Sequence, residues 1–423
     1  MLRCFLLLAV AGSLSSCHVG RFFVYNFANI TDHKIFPATE MPASTNPQPF
    51  AVGPDSTAAL ARIKTNGKKG MVPLTDYLDK DTRTTAFLVI REDSILFERY
   101  YEGYTAGDIS TFFSVSKSIT SLLVGIAVDE GLIESIDDPV TKYIPELRDA
   151  DPLFQKQTIR HLLQMRSGLQ YTESYSNPFA PMAKLYYGCD QLGQIEKMSF
   201  REEPGTKHRY QSVSTAILGI VIEKVTGEDL GRFLAKKVWE PLGMEYAASF
   251  SLDDKKHRSA KAYSGVNATA RDLAKIGRLY LNGGVAPDGT RIVSADWVEQ
   301  TLTPDFDNDF YQYQWYAKEG RIREKGKTRY FPDQAAAETA AADLGYQAQV
   351  VPSQQKPGQY YVNYASGDIY AQGILNQHLY LVPEDNIIIV RLGKKYDDGY
   401  LWMFPYVRDA VKRPAAEENA VKR

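Results

Sequence analysis

The stretch Thr111-Phe-Phe-Ser-Val-Ser-Lys-Ser-Ile-Thr120 decides how the rest of the sequence is interpreted. Apolar residues continue after it at helical spacing, and they predict a helix that is buried on most of its surface, with Ser114 at its start. Lys117 follows three residues later, so both side chains project from the same face of the first turn. A lysine whose pKa is lowered by burial can accept the proton of a serine hydroxyl and make that serine nucleophilic.

The same residues also fit an ordinary helix start, with Ser114 as the N-cap and Lys117 on a solvated face. A four-residue pattern with two fixed positions recurs by chance about once or twice in a chain of this length. However, the predicted helix is apolar nearly all round, which leaves little solvated surface for Lys117. The choice between a nucleophile and a helix cap therefore depends on the rest of the chain.

The composition is that of a globular protein. The chain has 423 residues, of which 44% are hydrophobic and 24% charged, enough for one large two-lobed domain or two smaller ones. Its formal net charge of −2 gives no reason to expect nucleic acid as a partner. The six histidines show no metal-ligand spacing, so we predict neither a metal site nor a cofactor.

The N-terminus predicts a secretory signal. Arg3 precedes an apolar run from Cys4 to Leu14 that is too short to span a bilayer. The run ends in Leu14-Ser-Ser-Cys17, which resembles the lipobox of bacterial lipoproteins. We therefore expect residues 1–16 to be removed and Cys17 to carry lipid, holding the protein on the cell envelope. An ordinary signal peptide that contains a cysteine is the alternative. Only Cys189 would then remain, so no internal disulfide is expected.

The order of strands and helices predicts an α+β fold. Two apolar segments, 86–90 and 95–101, read as a hairpin, and the segments 377–382 and 386–392 read as a second strand pair near the C-terminus. Helical patterns lie between these pairs. We therefore predict an antiparallel sheet built from N- and C-terminal strands, with a helical lobe inserted in the middle and the site between them. The expected divisions are a proline-containing tether and extension at 17–80, the main domain at 81–412 and a polar tail at 413–423.

Residues 318–366 do not follow this pattern. They contain a basic run, an alanine-rich stretch and a tyrosine-rich end. Long insertions of this kind are usually lids, binding loops or disordered segments, and the sequence leaves these possibilities open.

Two further motifs accompany Ser114 and Lys117. Tyr210-Gln-Ser212 precedes a second apolar helix that closes at Gly227, and Ala371-Gln-Gly373 precedes the last strand pair. This ordered set resembles the serine β-lactamase and penicillin-binding-protein superfamily, in its branch of class C β-lactamase-related hydrolases. The stretches 160–169, 240–244 and 268–277 are similar to that family as well.

The resemblance implies a β-lactamase/transpeptidase-like fold and an acyl-enzyme formed on Ser114. Lys117 and Tyr210 would share the role of general base, with the lysine ammonium lowering the pKa of the phenol. Ser212 would hydrogen-bond Lys117 or the substrate amide. Gln372 and Gly373 would contact the substrate on the strand that supplies one oxyanion donor, the amide of Ser114 being the other.

The third motif departs from the family pattern, since Gln372 stands where Lys-Thr-Gly or His-x-Gly is usual. Ser212 likewise replaces the more common asparagine. Both departures favour the esterase and 6-aminohexanoate-dimer hydrolase members, which implies a small ester or amide substrate. The alternatives are a peptidoglycan D,D-carboxypeptidase or β-lactamase-type enzyme acting on a cell-wall peptide, and a non-catalytic envelope binding lipoprotein.

Overall fold

The computed structural model describes residues 18–25, 27–395 and 399–412. The predicted signal segment 1–16, the proposed lipidation site Cys17 and the tail 413–423 lie outside the described residues. Within the part that is described, no helix is both long enough and apolar enough to cross a bilayer.

The core of the main domain is a nine-stranded sheet that joins the two ends of the chain. In spatial order its strands are Tyr311–Gln312, Trp315–Arg321, Tyr360–Gly373, Gln377–Val382, Ile387–Gly393, Thr84–Arg91, Ser94–Tyr100 and Ala51–Val52, with Ala348–Pro352 paired beside Tyr360–Gly373. All pairs are antiparallel except that of Ala51–Val52 with Ser94–Tyr100. The C-terminal strand pairs with the N-terminal one, Val390 lying opposite Leu88, which confirms the predicted α+β fold.

The helical lobe packs on one face of this sheet. Its α-helices are Val115–Asp129, Ile159–Leu163, Pro181–Tyr187, Gln191–Ile195, Ser212–Thr226, Leu230–Leu234 and Ala295–Leu302, while Ala270–Leu281 lies against the strands themselves. Short 3₁₀ turns at Val140–Lys142, Pro145–Asp149, Pro152–Gln155 and Phe306–Asn308 connect them, and Leu230–Leu234 continues as a π-helical turn over Ala235–Trp239. A helix at Phe404–Val411 covers the opposite face.

Two of these helices form the centre of the lobe. Val115–Asp129 and Ser212–Thr226 pack against each other, and the first is buried from residue 115 to residue 127. Two of its polar side chains are hydrogen-bonded inside the lobe, since Ser118 Oγ donates to the carbonyl of Gln314 and Thr120 Oγ1 to that of Ala262, while Ser121 Oγ has no partner among the described residues. The prediction of a helix buried on nearly all sides is therefore correct.

The helix capped by Thr158 ends at Leu163, because Met165 takes a positive φ of 56° that breaks the helical path. The last helix of the described residues begins at Phe404.

The N-terminal extension is folded onto the main domain. Its strand Ala38–Met41 joins a small sheet with Ala248–Ser251, Val266–Ala268 and Ser110–Thr111. Further elements are Asp32–Lys34, Thr57–Arg62, Leu74–Asp76, Tyr77–Asp81 and the hairpin of Lys64–Gly67 with Gly70–Pro73. The first element, His18–Tyr25, is a helix that packs on the helix Pro181–Tyr187. The extension thus supplies part of the core rather than a bare tether.

The insertion at 318–366 is a folded unit and not an irregular loop. Part of Trp315–Arg321, the hairpin of Arg323–Glu324 with Lys327–Thr328, the helix Gln334–Ala342 and the strand Ala348–Pro352 enclose a small apolar cluster of Phe331, Ala337 and Val362. The unit extends the edge of the large sheet. None of its residues lines the two pockets at Ser114, so a lid role finds no support.

Candidate active site

Ser114 lies at a sharp turn between a strand and a helix. The strand Ser110–Thr111 ends just before it, and Phe113 has a φ of +48°, which costs an L-residue of this size about 1–3 kcal/mol. Ser114 is then the N-cap of the helix Val115–Asp129 and stays partly exposed, while Phe113 and Val115 on either side are buried. The turn therefore presents the hydroxyl to the surface of an otherwise buried element.

Lys117 is buried directly beneath this hydroxyl. Its side chain is 1% exposed, and its Nζ donates to Ser114 Oγ at 2.9 Å and to the carbonyl oxygen of Tyr263 at 3.1 Å. Burial disfavours the ammonium form and lowers the pKa of Lys117 to about 8, while the charge of Glu173 acts in the opposite direction. Near neutral pH a useful fraction of this amine is unprotonated, which is the form that can act as a base.

Tyr210 reaches the same point from the start of the second central helix. The Nζ of Lys117 lies 5.0 Å from the centre of its ring, and its hydroxyl hydrogen-bonds the Ser114 side chain. The predicted lowering of its pKa was wrong in direction. Burial and the nearby Glu173 carboxylate raise the pKa of Tyr210 above its usual value, and the Ser114 contact offsets this only in part. Tyr210 is therefore a neutral phenol at physiological pH.

In the described structure Ser212 hydrogen-bonds Glu173 rather than Lys117, the first of its two predicted partners; the second, a substrate amide, stays a prediction. Its Oγ donates to Glu173 at 2.6 Å and its backbone N–H to the same carboxylate at 2.8 Å, so the acid caps the helix Ser212–Thr226. Tyr175 donates to Glu173 as well, at 2.7 Å. No hydrogen bond joins Ser212 to Lys117 among the described residues, because the carboxylate takes the serine hydroxyl first.

Gly373 brings the end of the long strand against Ser114. A Cβ atom added there would lie 2.3 Å from the carbonyl oxygen of Phe112 and 3.2 Å from the amide nitrogen of Ser114. Only glycine allows this close approach. Gln372 and Gly373 both line the open cleft at Ser114, together with Ile374, which follows them.

Two pockets meet at Ser114. The wider one encloses about 340 Å³ and is open to solvent, with Tyr175, Tyr210, Tyr316 and Asn376 in its wall. The narrower one encloses about 30 Å³ and is mostly apolar. Neither pocket is lined by a lysine, arginine or histidine of the described chain, so a substrate carboxylate meets no cationic partner there.

Three residues whose side chains could bind a metal ion lie outside the two pockets at Ser114. One ligand atom each of Asp253, Asp254 and His257 falls within 4.8 Å of the others. Asp254 already accepts from His257 Nδ1 at 2.8 Å and from two backbone amides of the same turn. None of the three lines either pocket at Ser114, so the cluster contributes nothing to the chemistry of Ser114.

Glu173 and Tyr263 are the site residues that the sequence did not reveal. Glu173 comes from a loop and organises Ser212 and Tyr175, and Tyr263 contributes a backbone carbonyl to Lys117. A carbonyl carries no sequence signal at all. For Glu173, the only available hint was an acidic residue between two tyrosines in the loop after Gly168.

The residues that form this site lie in a part of the chain that matches a known protein family. The family model described as Beta-lactamase matches residues 73–399, well over half of the chain. The chain belongs to the Beta-lactamase family. The matched range contains Ser114, Lys117, Tyr210 and Gly373.

The curated proteins with similar sequences carry different names. The 6-aminohexanoate-dimer hydrolase of Paenarthrobacter ureafaciens is 34% identical over 233 residues, which cover 53% of this chain and 58% of that protein. Penicillin-binding protein 4 of Amycolatopsis lactamdurans is 30% identical over 209 residues, covering 43% and 53% respectively. The chain thus spans about half the length of the curated relatives it matches.

A solved structure matches over nearly the whole chain. It is a Bacillus anthracis protein provisionally named a 6-aminohexanoate-dimer hydrolase, with a TM-score of 0.67 at 19% identity, covering 93% of this chain and 90% of that one. At this identity the similarity establishes the β-lactamase/transpeptidase-like fold.

Proposed function

We propose that the protein hydrolyses an ester or amide bond of a small, uncharged substrate through an acyl-enzyme on Ser114. The observation that carries this proposal is the contact of Lys117 Nζ with Ser114 Oγ at 2.9 Å, inside a site that lowers the pKa of the amine. A base within hydrogen-bond reach of the nucleophile, at a pKa near the working pH, is what acyl transfer requires.

The proposed acylation step starts from the contact between Lys117 Nζ and Ser114 Oγ. Neutral Lys117 accepts the Ser114 proton as Oγ bonds to the substrate carbonyl carbon, and the C–N or C–O bond to the leaving group then breaks. The proton passes to the leaving group, with the neutral phenol of Tyr210 next to Ser114 as the relay. In the second half, water loses a proton to the same base as it attacks the carbonyl carbon of the Ser114 ester. The bond from that carbon to Ser114 Oγ then breaks, the base returns the proton to Oγ, and the acid is released.

We assign stabilisation of the oxyanion to the point where the start of the helix Val115–Asp129 meets the end of the strand Tyr360–Gly373. The amide of Ser114 stands at a helix N-terminus, and the strand end at Gly373 and Ile374 lies against it. Donors fixed at such a point stabilise the tetrahedral intermediate, and losing one typically costs about 10²–10³ in kcat.

The substrate class follows from the charge of the site. Gln372 is uncharged, and the described pocket walls lack cationic side chains, which favours neutral esters and amides over peptides that end in a carboxylate. The similarity to the 6-aminohexanoate-dimer hydrolase supports amide cleavage. A D,D-carboxypeptidase is the second candidate, supported by the relative named penicillin-binding protein 4.

We propose that the enzyme acts on the cell envelope, held by lipid on Cys17. The lipobox-like sequence supports this, and so does the helix His18–Tyr25 directly after it, on which Phe23 and Val24 are 66% and 68% exposed.

The test of the proposed function compares the wild-type protein with Ser114→Ala. We expect a fluorophosphonate probe to label the wild type and not the variant. We also expect p-nitrophenyl acetate and a linear amide dimer with both ends blocked, and therefore uncharged, to be hydrolysed much faster than a D-Ala-D-Ala peptide or a chromogenic cephalosporin. Labelling that persists in Ser114→Ala would reject the nucleophile. Preference for the D-Ala-D-Ala peptide would establish the second candidate instead.

A further inference from the structure

The wall of the narrow pocket at Ser114 is formed by residues of both the main domain and the N-terminal extension. One side comes from the helix Pro181–Tyr187 and another from Tyr263 and Ser264 of the main domain, but Phe22 and Ala28 come from the N-terminal extension. These two residues precede the family match, which begins at residue 73. A segment outside the matched region thus reaches the pocket that contains the nucleophile.

Contacts on several sides hold this segment in place. The Phe22 ring packs edge-on against Tyr187 with ring centres 5.6 Å apart, and its side chain is 5% exposed. Arg21 Nη1 donates to the carbonyl of Tyr187 at 3.2 Å. Farther along the extension, Asp32 accepts from the hydroxyl of Tyr186 at 2.6 Å. Phe22 is therefore a fixed part of the pocket wall.

The pocket has the features of a ligand site rather than of a packing defect. It shares Ser114, Tyr175 and Ile374 with the open cleft, so a chain attached to Ser114 can enter it. Ser264, a residue that is 5% exposed, lines it, and the buried Oγ of this serine has no hydrogen-bond partner among the described residues. An unpaired buried hydroxyl costs about 1–3 kcal/mol, which a bound polar group would offset.

The size and polarity of the narrow pocket indicate whether it binds the acyl group or the leaving group of the substrate. About 30 Å³ of mostly apolar space admits only a thin, uncharged chain, whereas the cleft of about 340 Å³ that also includes Ser114 accepts a larger group. A covalent intermediate retains the acyl part and releases the other part towards solvent. The acyl part therefore belongs in the narrow pocket.

We infer that this pocket selects short, linear, uncharged acyl groups and that Phe22 is the residue of the N-terminal extension that limits their length. The inference rests on the proposed acyl-enzyme at Ser114. One methylene in an apolar pocket changes kcat/KM by about 10–200-fold, so a wall residue of this size controls chain-length preference.

The test measures kcat/KM of the full-length protein for p-nitrophenyl acetate, butyrate and octanoate. The wild type should prefer the short esters. Phe22→Ala should raise the octanoate-to-acetate ratio at least about tenfold, and Phe22→Trp should lower the butyrate-to-acetate ratio. Phe23→Ala is the matched control on the same helix, because Phe23 is 66% exposed and outside the pocket, and its ratios should equal those of the wild type.

Opposite shifts in the alanine and tryptophan variants support the inference, because simple detachment of the helix would open the pocket in both. Ratios within twofold of wild type in both Phe22 variants, or an equal shift in Phe23→Ala, would overturn it. Loss of acetate hydrolysis in Ser114→Ala, measured alongside, shows that the proposed function still holds. Undiminished hydrolysis in that variant would reject the proposed function separately.

Discussion

Lys117 illustrates at the residue scale how stability and reactivity oppose each other in this site. Its amine is buried, and its hydrogen bonds to described residues go to two neutral oxygen atoms, Ser114 Oγ and the carbonyl of Tyr263. Lys275 is equally buried, but it pairs with Glu245 at 3.1 Å and donates to the carbonyl of Gly243 at 2.6 Å. The charge of Lys275 is therefore balanced by a carboxylate. The amine of Lys117 contacts only neutral oxygen atoms among the described residues and stays available to accept a proton.

This contrast leads to a prediction for two matched variants. Lys117→Met should lower kcat/KM for p-nitrophenyl acetate by about 10²–10⁴, because the general base is lost. It should leave the midpoint of thermal unfolding unchanged or raise it, since a poorly compensated buried amine is removed. Lys275→Met should do the reverse and lower the free energy of unfolding by about 1–3 kcal/mol, because Glu245 loses its buried lysine partner and the carbonyl of Gly243 loses a donor, although Glu245 keeps its ion pair with Arg271.

Activity assays and thermal unfolding of both variants check this pair. A Lys117→Met enzyme that keeps more than a tenth of the wild-type kcat/KM would rule out this lysine as the base. A large drop in its unfolding midpoint would show that Lys117 is mainly structural.

At the scale of elements, the site depends on the contact between the strand Tyr360–Gly373 and the start of the helix Val115–Asp129. Gly373 allows that contact, because a Cβ atom there would overlap the carbonyl oxygen of Phe112 at 2.3 Å. A backbone carbonyl at the strained turn before Ser114 cannot move without moving the nucleophile.

Gly373→Ala should therefore reduce kcat/KM at least about tenfold through misplacement of the oxyanion donors. Gly107→Ala is the matched control, since a Cβ atom there meets only the ring of Tyr246 at 3.5 Å, an ordinary contact. We expect wild-type kinetics from the control. Wild-type kcat/KM in Gly373→Ala would mean that the close approach has no role in the reaction.

At the scale of the whole molecule, three distant parts of the chain converge on one hydroxyl. Ser114 and Lys117 come from one central helix and Tyr210 from the start of the other, while Gly373 closes the site from the sheet. The sheet is completed by strands from both ends of the main domain. The apolar pocket beside Ser114 adds a fourth contribution, from the N-terminal extension.

The parts of this arrangement that sequence could predict were the local ones. Helix spacing placed Lys117 one turn after Ser114, and Gly227 marked a helix end where the structure has it. Glu173 and Phe22 carry no motif, because they reach the site only through tertiary packing.

Burial is the other quantity that a motif does not specify. The pKa of Tyr210 was predicted in the wrong direction because the prediction considered the lysine charge and not the loss of water around the phenol. For Lys117 the same loss of water acts in the predicted direction.

The pH dependence of Ser114 acylation tests the central claim most directly. Burial lowers the pKa of Lys117 from 10.5 to about 8, so the inactive ammonium dominates below pH 8 and the basic amine above it. The second-order rate of fluorophosphonate labelling should therefore rise with pH, with a midpoint near 8, and level off above pH 9. A rate that is flat from pH 6 to 9.5, or that still rises steeply at pH 10 as an ordinary lysine would require, would contradict the account.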